Sequence, residues 1–179
     1  MRILGIKYTA GSAETQKILT EGLEVVFRSV QEHQSAEEDP EILFWTGSFD
    51  QASAIPKPLL TKIKHSQLVL LAAPALDLDD TDDFVNKLAE LDKDDDLRGK
   101  WMGLVVHGTA HPYQTRQYTD RVMGSCNRAN MLLIPNGVAR STHDNEFTEH
   151  VILGHNAAIA LSSMSEWKGR TAWQEQQAA

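Results

Sequence analysis

The chain has 179 residues, 41% of them apolar and 23% charged, with a formal net charge of −8. This length and composition fit one packed domain, and the negative balance argues against a nucleic-acid footprint or an anionic membrane surface. The single cysteine, Cys126, excludes a disulfide framework and a cysteine-based zinc or iron–sulfur centre. Apolar runs fall short of the ~18–20 residues of a membrane span and no signal-peptide pattern is seen, so a cytoplasmic protein is expected.

Arg2–Tyr8 reads as a first strand. It enters Thr9-Ala10-Gly11-Ser12-Ala13-Glu14-Thr15-Gln16 and then a long amphipathic helix, Ala13–Glu32. Leu19, Leu23, Val26, Phe27 and Val30 fall on one face of that helix. A strand, a hydroxyl-bearing loop and a helix start form a natural anion cradle, because the first backbone N–H groups of a helix lack internal partners. The same residues also satisfy a plain turn with Ser12 as N-cap. Glu41–Trp45 is a second strand. Pro56 and Pro58 allow only a short helix within Ala52–Lys64. Gln67–Ala73 is almost continuously apolar, as expected of a strand covered on both faces. A helix is expected at Asp82–Leu91 and a fourth strand at Trp101–Val106. A weakly amphipathic helix spans Gln114–Arg128. The fifth strand, Asn130–Ile134, is closed by Pro135-Asn136-Gly137. The last helix, Glu146–Glu166, carries Val151, Ile152, His155, Ile159 and Ser162 along one stripe.

Strands alternating with helices define an α/β domain. The economical architecture is a doubly wound five-stranded parallel sheet, order 2-1-3-4-5, with helices on both faces. A single domain is expected over residues 1–167, with a frayed tail at 168–179. In this order the switch point lies between strands one and three. Ligands bind there, beyond the carboxyl ends of the strands. The loops to watch are Thr9–Gln16, Pro74–Asp83 and His107–Tyr113.

Three pieces in those loops resemble the flavodoxin-like superfamily, most closely the NADPH-dependent FMN reductase family. The first is Gly11-Ser12-Ala13-Glu14-Thr15-Gln16-Lys17-Ile18-Leu19 after the first strand. The second is Leu70-Leu71-Ala72-Ala73-Pro74, a strand ending in a small residue and proline. The third is Leu97-Arg98-Gly99-Lys100, followed by Val105-Val106-His107-Gly108. The likeness covers roughly Met1 to Trp167. It implies FMN as cofactor and NAD(P)H as electron source, with a small-molecule substrate or electron acceptor. It also implies a homo-oligomer, a dimer or tetramer, in which the last helix and Trp167 are candidate interface elements. In that reading Gly11, Ser12, Thr15 and Gln16 hold the flavin phosphate. Pro74, Ala75 and Leu76 border the ring. His107, Gly108, Thr109 and Tyr113 cover its other side. No protein acid or base is singled out as catalytic, since the flavin carries such chemistry.

His107 and His111 lack a third ligand at matching spacing, so no metal site is assigned there. Ten acids crowd Asp77–Asp96 without the glycine and terminal glutamate of an EF-hand, and read as a solvated face or a surface for basic partners. Cys126 reads as packing. The expected function is an FMN-binding oxidoreductase moving hydride or electrons from NAD(P)H. The alternative is a flavodoxin-like binding or interaction module that has lost flavin. It is favoured by Ala75-Leu76-Asp77 where the resembled family carries an aromatic residue.

Overall fold

The first strand, β1 (Arg2–Tyr8), forms the middle of a half-sheet and receives β2 (Glu41–Gly47) on one side and β3 (Leu68–Pro74) on the other. The sheet continues through β4 (Trp101–His107) to β5 (Leu132–Ser141). The order is therefore β2-β1-β3-β4-β5 with every pair parallel, as the sequence implies. The helices are α1 (Ala13–His33), α2 (Lys57–His65), α3 (Pro112–Arg128) and α4 (Thr148–Gln177). This computed structural model describes residues 1–9, 12–34, 40–47, 55–74, 86–87, 97–107, 112–141 and 147–177. Of the expected Asp82–Leu91 helix, only Asn86 and Lys87 fall within them, and both are helical. Among the described residues, no helix is long and apolar enough to cross a membrane.

Side-chain alternation along the strands builds two cores. Leu4, Ile6, Val69, Leu71, Leu104 and Val106 face α2 and α3, where Leu59, Ile63, Val122 and Cys126 complete the layer. Ile3, Leu68, Leu70, Ala72 and Val105 face α1 and α4, against Leu19, Leu23, Val26, Leu153 and Leu161. Every residue of β3 is buried, which is why its sequence reads as one apolar run rather than an alternation. Each such Leu or Ile contributes about 1.5–3 kcal/mol of burial. Cys126 is buried and directs its thiol to Met102 Sδ at 2.9 Å, in keeping with a packing role.

Two elements differ from expectation. β5 does not end at Ile134. Pairing runs Met102 to Leu133 and resumes at Leu104 to Val138, so three extra residues bulge out of β5 before it continues to Ser141. Asn136, at φ 51°, supplies the left-handed residue that this detour requires. Pro135-Asn136-Gly137 is thus an interruption inside a strand, not its end. In α4 the expected apolar stripe faces outward. Val151, Ile152 and Ile159 are exposed, while Leu153, Ala157, Ala158, Ala160 and Leu161 are buried. Small residues win the inner face because α1 and α4 approach so closely. The helix itself continues to Gln177.

Gly154 marks the tightest point of that approach. A Cβ there would lie 2.5 Å from Ser29 Cβ and 2.6 Å from the Val26 carbonyl oxygen. In an exposed helix, Gly→Ala stabilises by up to about 1 kcal/mol. Here a backbone atom blocks the added methyl, so overpacking wins. Gly154→Ala is expected to destabilise the fold by about 1–3 kcal/mol, read as a lower urea midpoint at unchanged slope.

Candidate functional site

A parallel sheet delivers the carboxyl ends of all its strands to one rim. Pro74 and His107 are register partners there, and His107 is in turn the partner of Ser141. Tyr8 ends β1 at the same rim, its preceding residue Lys7 pairing with Ala72. The rim thus gathers the ends of β1, β3 and β4 around the switch point between β1 and β3.

The start of α1 is bound to this rim by side chains. Ser12 is the N-cap, and its Oγ accepts the Thr15 backbone N–H at 3.2 Å and lies 3.1 Å from Thr15 Oγ1. Gln16 donates its Nε2–H to the Tyr8 carbonyl at 2.9 Å. That bond fixes the first turn of α1 against the end of β1. Lys7 donates to Thr20 Oγ1 at 2.8 Å, and Thr20 donates on to the Gln16 carbonyl at 2.8 Å. An ammonium group therefore lies beside the first turns of α1. The sequence reading passed over it, although the odd positions of β1 point to the α1 face. Ser12 is exposed and Thr15 half-buried beside it, so the Ser12 hydroxyl is open to a ligand from solvent.

Among the other candidates, Pro74 ends β3, fully within the sheet. His107 is 5% exposed, and its Nδ1 lies 3.1 Å from the Ser141 carbonyl. A carbonyl only accepts, so Nδ1 carries the proton and Nε2 the lone pair. Gly11, Ala75, Leu76, Gly108 and Thr109 lie outside the described residues, as do His111 and most of the acidic segment. Tyr113 lies in the first turn of α3, its side chain outside the described set.

Behind His107 is a polar chain that sequence reasoning missed. Ser141 Oγ lies 3.0 Å from His150 Nε2, and both residues are buried. His150 has no exposed surface, and its Nδ1 has no hydrogen-bond partner among the described residues. The ring fits only because α1 has a glycine opposite it: a Cβ on Gly22 would lie 2.8 Å from His150 Nε2. Phe147 closes the other side, its ring centroid 5.1 Å away at 76°. Next to it, Glu149 accepts from the Arg140 backbone N–H at 2.8 Å and from its guanidinium at 3.1 and 2.8 Å. Burial alone raises the Glu149 carboxyl, but the Arg140 hydrogen bonds and charge, with His150, carry it below the usual range. The signal for this chain was the alternation of Val138-Ala139-Arg140-Ser141, hidden behind the Pro-Asn-Gly break. A cleft of about 170 Å³ lined by Trp101, Pro135 and Ile159 sits at the opposite end of β4 and takes no part in the rim.

No protein-family model matches the sequence, and no curated protein matches it. Solved structures do. A flavodoxin, WrbA-like protein from Agrobacterium tumefaciens superposes with a TM-score of 0.66 at 7% identity, over 90% of this chain and 98% of that one. RosB with a bound 8-demethyl-8-formylriboflavin-5'-phosphate intermediate gives 0.69 at 12% identity, over 100% and 88%. An NADPH-quinone reductase from P. pentosaceus gives 0.53 at 9%, over 88% and 96%. The chain has the flavodoxin-like fold, as the residues quoted from its loops imply.

His150 makes the fold acid-sensitive. Burial pushes its imidazole down to about 4 from an ordinary 6.5, with the Glu149 charge opposing the drop. Between those values the unfolded chain binds a proton that the native state does not, so stability falls as pH falls. The loss is expected to grow by about 1.4 kcal/mol per pH unit through that window and to level off below it. His150→Asn, which cannot titrate there, is expected to flatten the slope in urea unfolding across the same range. An equal slope in the variant would assign the acid sensitivity to other groups.

Proposed function

We propose that the rim binds FMN and that the protein is an oxidoreductase passing hydride or electrons from NAD(P)H to a small-molecule acceptor. The observation that carries this reading is the convergence at one rim of Ser12 and Thr15, on a helix start bound to β1, with the ends of β3 and β4. The flavodoxin-like fold of structures such as the RosB complex supports it by analogy. The residues present fit a flavin phosphate. The exposed Ser12 hydroxyl, the half-buried Thr15 hydroxyl, the N–H groups at the helix start and the positive end of the α1 dipole together favour an anion. Lys7 adds positive charge nearby, which offsets the like-charge cost of Glu14 in the first turn.

In this reading Ser12, Thr15 and the backbone around Gly11 hold the phosphate. Gln16 serves from behind, keeping the helix start in register with Tyr8 rather than touching the ligand. Pro74, Ala75 and Leu76 border the ring, and Gly108, Thr109 and Tyr113 close over it. His107, with Nδ1–H bound to the Ser141 carbonyl, backs the rim from β4. The flavin when bound would supply the redox chemistry. The chain assembles as a homo-oligomer, with α4 and Trp167 as candidate interface elements, in the cytoplasm, where the thiol of Cys126 stays reduced.

The test is the visible spectrum of the protein as isolated, followed by FMN titration. Binding at micromolar FMN is expected, and none at tens of micromolar would end the proposal in favour of a module that has lost flavin. Ser12→Ala is expected to weaken FMN about tenfold, the loss of one hydrogen bond to a charged group. Riboflavin, which lacks the phosphate, is expected to bind the variant and the parent equally. A parallel loss for riboflavin would place Ser12 away from the phosphate.

A further inference from the structure

On the outer side of the α1/α4 layer, away from the rim, two imidazoles meet. His33 is the last residue of α1, and its ring centroid lies 4.5 Å from that of His155 on α4, at 71°. Both side chains are exposed, and neither takes part in an ion pair among the described residues. His33 Nδ1 lies 2.7 Å from the Ser29 carbonyl one turn back. The carbonyl accepts, so Nδ1 carries the proton and Nε2 carries the lone pair. Metal-binding histidines hold their second nitrogen in the same way, often on a backbone carbonyl. His155 makes no hydrogen bond to a described residue.

A third group lies next in the chain. Gln34 donates its Nε2–H to the Ala158 carbonyl at 3.4 Å, one turn beyond His155 on α4. Its Oε1 is buried and has no hydrogen-bond partner among the described residues. An orphaned amide oxygen carries a desolvation cost that a ligand would relieve. The negative end of the α1 dipole falls at the same place and favours a cation. The two helices are held at a fixed separation here. Ser29 Oγ donates to the Val151 carbonyl at 3.0 Å, and Gly154 seats the two helices together.

We propose that His33 and His155, joined by Gln34 Oε1, form a binding site for a borderline divalent cation such as Zn²⁺ or Cu²⁺, bridging α1 and α4. Two imidazole nitrogens and one amide oxygen suit such ions better than Mg²⁺ or Ca²⁺. Among the described residues, no group of three or more His, Cys, Asp and Glu is assembled. Water therefore completes the coordination, and the site exchanges its ion rather than enclosing it. With metal–nitrogen bonds of ~2.0–2.1 Å, the His155 ring must turn so that its lone pair faces the ion held by His33 Nε2, while His33 keeps its bond to the Ser29 carbonyl. Both are exposed, so no core packing opposes the turn. A plain edge-to-face ring contact would explain the histidine pair but not the orphaned oxygen of Gln34.

The test uses the full chain, stripped of metal with a chelator and titrated calorimetrically with Zn²⁺ alone, with thermal unfolding in parallel. One saturable ion per chain is expected, together with a higher unfolding temperature in its presence. Both effects are expected to disappear in H33A/H155A, whose metal-free unfolding stays unchanged because both positions are on the surface. Gln34→Ala is expected to weaken binding without abolishing it. Absence of saturable binding up to millimolar Zn²⁺ would overturn the proposal. So would undiminished binding by the double variant, which would assign the ion elsewhere, for example to the acids of residues 77–96.

Discussion

Parallel pairing is the constraint from which the rest of this molecule follows. Two parallel neighbours can be joined only by a chain that leaves one end and returns to the other. Every strand here is parallel to its neighbours, so every forward end arrives at the same rim. β3, buried along its whole length, anchors the pairing on both sides. The rim is then where β1, β3, β4 and β5 end, at Tyr8, Pro74, His107 and Ser141. Residues far apart in the chain meet there because the strands between them have no other place to end.

The layer of α1 and α4 packs behind that rim. Glycines at 22 and 154 let the two helices approach until side chains touch backbone. The space left by Gly22 is filled by His150, and the space left by Gly154 by Ser29. One contact backs the rim through Ser141 and His107. The other lies further down the same helices, near His33 and His155. These histidines occupy opposite environments. His150 is held neutral by burial, whereas His33 and His155 sit in water.

Much of this was readable from the residues, and the reason differs by element. β1 was found at its observed bounds because its apolar run starts and stops sharply. The helix pattern of α1 identified Leu19, Leu23, Val26, Phe27 and Val30, all of which are buried. β3 declared itself by having no polar face. The bulge in β5 was misread because Pro-Asn-Gly is normally a stop, and only pairing with β4 reveals that the strand resumes. On α4 the stripe of Val151, Ile152, His155 and Ile159 was legible as one face, but not that it turns outward, because hydrophobicity alone does not say which face is buried. Here closeness of approach decided instead, and alanine and glycine displaced isoleucine and valine from the inner face. Ser141 was hidden because it follows the bulge, and Glu149 and His150 because their partners come from β5 and α1, far away in the chain. At the rim, the Ser12 cap was legible as a cap, while the tie from Gln16 to Tyr8 depends on side-chain direction that spacing alone does not encode.

The bulge in β5 also guards the border of the sheet. β5 is an outer strand, and an uninterrupted outer strand offers a row of backbone donors and acceptors to any other chain. Pro135 removes one of those donors, and Asn136 turns the backbone out of the plane at φ 51°. A second molecule trying to extend the sheet from this side would lose alignment within two residues. The same detour that concealed half the strand from its own sequence therefore keeps it from templating fibrillar growth.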